Sequence, residues 1–352
     1  MKLVNKICIV IIFCLILLLF YRIVQSRNII SVQSSNLDNS DNFDIMRKKG
    51  SDGNAEGFES KRGNLNISST STVNLPLLEY VIMSSWNSAL NEKQLVSLDA
   101  LENTIKRGYR FLDMELYLVD GKVQIGFSSE KSNNSMESEP VPFFDACKLI
   151  MATAFVTGNK KDPLFLHLRI KSDHEDIYPK IAQTMKGQLS NFLYSGMITE
   201  DTLLEDVQSK IIIVVDRSYV PTISKYKCKG SCTDDIIAYI NIFSNSSTLH
   251  SSKIYNKLNE NKKPLKIKNE ESMETNVNKL QMITHGLGEF YNAKNEENYH
   301  QLVLDYKVQI IPHKVFSRDQ ALEDYETLFM DNGKHAFIPM IIAHDYLKNR
   351  FG

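Results

Sequence analysis

Residues 75–126 read LPLLEYVIMSSWNSALNEKQLVSLDALENTIKRGYRFLDMELYLVDGKVQIG, and the fold turns on how this stretch is parsed. YVIMSS (80–85) is an apolar, strand-like run that ends in two serines. Residues 95–107 carry helical spacing and stop at Gly108, a residue suited to the position just past a helix. In FLDMELY (111–117) apolar and polar residues alternate. Leu112, Met114 and Leu116 face one way; Asp113, Glu115 and Tyr117 face the other. Strand, helix and strand in that order predict a βα unit of a parallel sheet.

Outward from there the pattern repeats. Strand-like runs fall at 80–85, 111–117, 123–126, 164–170, 211–215, 236–243, 280–284 and 308–311. The clearest, IIIVV at 211–215, is a β-branched run of the kind covered on both faces. A second helix is expected at 319–330, opened by a Ser317/Gln320 capping box and stopped near Gly333. The expected fold is α/β, a (β/α)8 TIM-type barrel over residues 75–352. A doubly wound open sheet is the alternative, but its Gly-rich phosphate loop is absent.

Residues 7–20 are an unbroken apolar run, long enough to span a bilayer when counted on to Val24 with Arg22 snorkelling. Residues 1–27 are therefore expected to be an N-terminal transmembrane segment, a single-pass anchor; a cleaved signal peptide is the competing reading, against which Arg22 argues. Residues 28–74, rich in Ser, Asn, Asp and Gly, read as a flexible polar stalk, and residues 245–278 as a low-complexity surface insertion. Sequons at Asn66, Asn133 and Asn245 are compatible with a lumenal or extracellular barrel, although basic residues flank the apolar run on both sides. Cys228 and Cys232 bracket three residues and are candidates for a small disulfide. The 41 basic and 42 acidic residues balance to a net charge of -1, which gives no global footprint for nucleic acid.

Two carboxylates aimed into a barrel lumen require a cation, a hydrogen-bonded partner or a proton. In residues 164–170 the same alternation turns Phe165, His167 and Arg169 inward, so Arg169 is expected to meet Asp113 and Glu115. A guanidinium would then sit where a metal otherwise would.

At this point residues 78–90, with Ser84-Ser85-Trp86-Asn87, resemble the first strand of the phosphatidylinositol-specific phospholipase C X-region family, a group of PLC-like phosphodiesterases built on TIM barrels. Residues 108–121, GYRFLDMELYLVDG, are similar to that family's second strand, 163–169 to its fourth and 210–215 to its fifth. Residues 308–314, with Asp319, Tyr325, Phe329 and Gly333, are similar to its closing strand and helix.

The resemblance implies two catalytic histidines, which fall here on Trp86 and Ile125, and neither side chain exchanges protons near neutral pH. Strand-end His285 and His313 are the candidate substitutes. The implied Ca2+ ligands fall on Asn87, Asp113, Glu115 and Arg169, and the last would repel the ion. Asn87, Arg169 and Arg217 are the candidate phosphate-binding residues, and a phosphoinositide or related membrane head group is the implied partner. The alternatives are a catalytically inactive barrel that binds a head group or a protein, and a glycerophosphodiester phosphodiesterase-like hydrolase.

Overall fold

The computed structural model describes residues 67, 72–128, 138–223, 226, 235–255, 266–267, 278–284 and 294–352. The expected anchor, most of the stalk, Cys228, Cys232, Asn66, Asn133 and His285 lie outside them. Among the described residues no helix is long and apolar enough to cross a membrane.

The alternation in the opening stretch becomes strand, helix and strand. β1 (Tyr80–Ile82) and β2 (Ser84–Ser85) are wholly buried. Helix α1 (Leu98–Lys106) starts where the Ser97 side chain accepts from Ala100 N, and it buries Leu101, Thr104 and Ile105. It ends against Gly108, at φ 100. β3 (Phe111–Val119) runs parallel to β2. The expected strand at 123–126 is β4 (Lys122–Gly126), which folds back antiparallel on β3 and pairs with β5 (Val141–Pro142). It is a hairpin arm, not a stave of the barrel. A Gly121 turn between the two arms explains the reversal.

Helix α2 (Phe143–Thr153) leads to β6 (Leu164–Ile170), and α3 (Ile177–Leu189) leads to β7 (Ile211–Val215). β6 and β7 are buried at every position, as expected for strands between a filled lumen and a helix layer. The expected strand at 236–243 is a short 3-10 turn followed by β8 (Ile242–Phe243).

The next stave is β9 (Leu249–Tyr255), taken from the stretch read as a surface insertion. It pairs parallel with β11 (Leu280–Thr284), and its far end pairs with β10 (Lys266–Ile267). Only residues 244–248 separate β8 from β9, too few for a crossover helix. The chain steps sideways instead, with the Ser246 hydroxyl accepting from Thr248 N and the Thr248 hydroxyl donating to Ile198 O. The regular (β/α)8 alternation is thus broken at this point.

Parallel pairings close the ring. They run from β1–β2 through β3, β6, β7 and β8, across the Ser244–Leu249 bridge to β9, and on to β11. Met282 then bridges Ile310, Ile310 bridges Ile82, and His313 bridges Ser85. After α4 (Tyr299–Leu304) and residues 308–313 comes α5 (Gln320–Asp331), capped by the Asp319 side chain on Leu322 N rather than by Ser317. β12 (Phe337–Pro339) pairs antiparallel with β1 and passes into α6 (Met340–Phe351).

Ile67, placed in the stalk by composition, is 2% exposed. A Cβ at Gly108 would fall 2.3 Å from Ile67 Cβ. Gly108→Ala therefore meets both a positive φ and a steric clash, and is expected to cost about 2 kcal/mol in urea denaturation. Adding Ile67→Gly, which removes the clashing Cβ, should relieve the clash and leave the backbone strain.

Candidate functional site

The turn that follows β2 brings the first site residues into place. Asn87, at φ 44, donates its backbone N–H to Asp113 Oδ2 at 2.9 Å. Ser88 N donates to Asp113 O, and Ser88 Oγ accepts from Asp113 N, both at 2.8 Å. The first stave's turn is thereby fastened to β3 at the residue that carries the carboxylate.

Register sets the rest. Asp113 lies opposite His167, and Glu115 opposite Arg169, across the β3–β6 pair. The Arg169 guanidinium fills the space between the two carboxylates. Its Nε donates to Asp113 Oδ1 at 2.9 Å, Nη2 to Asp113 Oδ2 at 2.6 Å, and Nη1 to Glu115 Oε1 at 2.6 Å. Nη2 also donates to Asn87 Oδ1. His167 Nδ1–H donates to Asp113 Oδ1 at 2.7 Å. Glu115 Oε2 accepts from Tyr117 OH at 2.7 Å and Ser128 N at 3.0 Å, and pairs with Lys171 Nζ at 2.9 Å.

Above the guanidinium lies the indole of Trp86, its ring centroid 3.9 Å from Arg169 Cζ, within cation–π range. The half-buried Tyr219 ring lies 6.0 Å from the same carbon and 5.6 Å from Lys171 Nζ. Asp113 and Glu115 are fully buried, and Arg169 is 1% exposed.

Burial alone would raise the Asp113 carboxyl, but Arg169 and His167 hold it well below the usual carboxylate range. Burial opposes the charge on Arg169, and the two carboxylates more than restore it. Burial lowers the Lys171 ammonium, with Glu115 opposing. Burial and the neighbouring Glu115 push the Tyr117 hydroxyl far up, so it stays a proton donor.

The arrangement does not fit a calcium ion. Asn87 Oδ1 and all four oxygens of Asp113 and Glu115 already accept from donors, and a guanidinium occupies the centre. Among the described residues no group of three or more His, Cys, Asp or Glu is placed to hold a metal. The adjoining pocket, lined by Asn87, Asp113, Glu115 and Ile125 among others, measures about 10 Å³. That is room for about one water molecule.

Residues 73–217, which carry this turn and the strands that hold the cluster, match the phosphatidylinositol-specific phospholipase C X-domain family. The match is confined to that stretch of the 352-residue chain, and its sequence there is divergent. No curated protein matches it in sequence. Among solved structures it is similar to PLC21 of L. pealei and PLC21 of S. officinalis, each at a TM-score of 0.57 and 17% identity. The likeness covers 80% and 78% of this chain but only 39% and 38% of theirs, and at this identity it shows the fold alone.

Within the barrel the side chains of the other described candidates, Arg217 and His313, have different partners. Arg217 is half-buried, 5.8 Å from the Phe243 ring, and its backbone N donates to Ser244 Oγ. His313 is 2% exposed and turns its ring onto Tyr325, with centroids 3.7 Å apart, so it faces helix α5. Its Nδ1–H donates to Ile311 O at 2.8 Å, and burial lowers its pKa to about 4.

A histidine near 6.5 unfolded and about 4 folded binds fewer protons in the native state. Its contribution is complete above pH 6.5 and is lost as pH falls toward 4, on the order of 3 kcal/mol. Thermal denaturation between pH 4 and 7 should show that slope, and His313→Gln should flatten it.

Sequence reasoning missed three members of the cluster. Lys171 continues the inward 167–169 alternation by one step beyond the strand, so the period-two signal was available. Tyr219 and Ser128 come from connections after β7 and β4, where no periodicity marks them.

Proposed function

We propose that this chain is a catalytically silent PI-PLC-type barrel that binds rather than cleaves, attached to a membrane by residues 7–24 with the barrel on the lumenal or extracellular side. One observation carries the reading: the Arg169 guanidinium, capped by Trp86, saturates the acceptors at the centre of the site. An in-line phosphoryl transfer needs an acid, a base and space for the head group. Trp86 and Ile125 stand where the resemblance implies the two histidines, His167 has its Nδ1 committed to Asp113, and the ring of His313 packs on Tyr325. Among the described residues the pocket beside the cluster has room for about one water molecule.

The fold suggests a phosphorylated head group as ligand. With the lumen filled, contact falls on the rim, where Arg217 is the cation beside Ser244. The test incubates the full-length protein with phosphatidylinositol and with glycerophosphodiesters, each with Ca2+ or with chelator. The expected result is no release of water-soluble phosphate ester under any condition, together with retention on phosphoinositide vesicles that Arg217→Ala weakens. Release of product that depends on Arg169 or His313 would overturn the reading.

A further inference from the structure

We propose that Asn245 is an N-glycosylation site whose saccharide stands on the rim of the barrel, beside the C-terminal end of β7. This rests on the lumenal or extracellular placement proposed above. Asn245-Ser246-Ser247 meets the Asn-x-Ser/Thr requirement. Asn245 occupies the turn between β8 and β9 at φ 53, a left-handed conformation that asparagine adopts more readily than most residues.

The side chain is exposed and oriented for the chemistry. Its Oδ1 accepts from Ser251 N at 3.0 Å, and its Nδ2, the atom a saccharide is joined to, has no hydrogen-bond partner among the described residues. Ser247 is exposed as well. Ser246, in contrast, is engaged in the turn, its hydroxyl accepting from Thr248 N at 3.1 Å and Leu249 N at 3.4 Å. The two residues that define the sequon thus point outward, and the middle one builds the turn. In the transfer, Nδ2 forms a bond to the anomeric carbon of an oligosaccharide carried on a lipid pyrophosphate. The bond from that carbon to the pyrophosphate oxygen breaks, the lipid pyrophosphate leaves with the electron pair, and the amide gives up one proton.

The other sequons lack this support. Asn66 and Asn133 both lie outside the described residues. Position gives the site its consequence. The preceding residue, Ser244, donates to Asp216 Oδ1 at 3.0 Å and accepts from Arg217 N at 2.9 Å, at the end of β7. A bulky hydrophilic branch there keeps this rim from lying flat on the bilayer in which the chain is anchored. A head group that reaches the rim then comes from solution or from an opposing membrane.

The full-length protein would be expressed in a eukaryotic secretory host and recovered in sealed microsomes. The expected result is a barrel protected from added protease, a mobility step removed by peptide N-glycosidase, and loss of that step in both Asn245→Gln and Ser247→Ala. Ser246→Ala, which keeps the sequon, should retain it. A protected barrel whose Asn245→Gln and Ser247→Ala forms migrate like wild type would overturn the glycan while sparing the placement. A barrel digested from outside the vesicles would overturn both.

Discussion

Replacing Arg169 with Met is expected to lower the melting temperature by roughly 10 °C. Removing one partner from a buried ionic cluster leaves the other charges without compensation, at about 3–5 kcal/mol. In a domain of this size each kcal/mol moves the midpoint by roughly 2–4 °C. Asp113 and Glu115 would be stranded, both fully buried, with only Asn87, His167, Tyr117, Ser128 and Lys171 left to face them. A triple change, Arg169→Met with Asp113→Asn and Glu115→Gln, should recover part of the loss, because the neutral groups need no counter-ion while Lys171 gives up its pairing with Glu115.

The pH dependence follows with a definite sign. Asp113 is held below its unfolded value, so its contribution is complete above pH 4 and is lost as the pH falls toward the depressed folded value. The triple variant should lack that acid limb. Melting curves between pH 2 and 5 decide it; an Arg169→Met protein as stable as wild type would show that the cluster contributes nothing net.

Trp86→Ala is expected to cost about 3–5 kcal/mol, the range for deleting a large buried aromatic. Part of this is the packing of a 2%-exposed side chain, and part is the contact with the guanidinium 3.9 Å below it. A desolvated cation–π contact contributes about 2 kcal/mol of such a loss. Trp86→Phe keeps a ring over the cation and should lose less than half as much in urea titrations. Equal losses in the two variants would mean that the size of the indole matters and its face does not.

The alternation in residues 111–117 and 164–170 made the centre of the site legible, because a period of two fixes which side chains share a face and parallel pairing brings those faces together. Arg169 meets Asp113 and Glu115 as that reasoning required. The barrel's count of staves was reached with one wrong member. Val123 and Ile125 have the apolar pattern of a core strand, yet they sit on a hairpin arm. Leu249–Tyr255 reads LHSSKIY and was passed over, because a ladder is made by the main chain and a polar strand pairs as well as an apolar one. Composition misjudged Ile67 for a related reason. One apolar side chain meeting one glycine leaves no trace in the average of a polar tract.

Trp86 is the single tryptophan of the chain. Its stacking on Arg169 therefore gives the molecule an optical reporter with no second indole to compete with it. Indole emission reports on the centre of the cluster alone, so any ligand, substitution or acid step that lifts the guanidinium from the ring is read from the protein's own fluorescence, without a label.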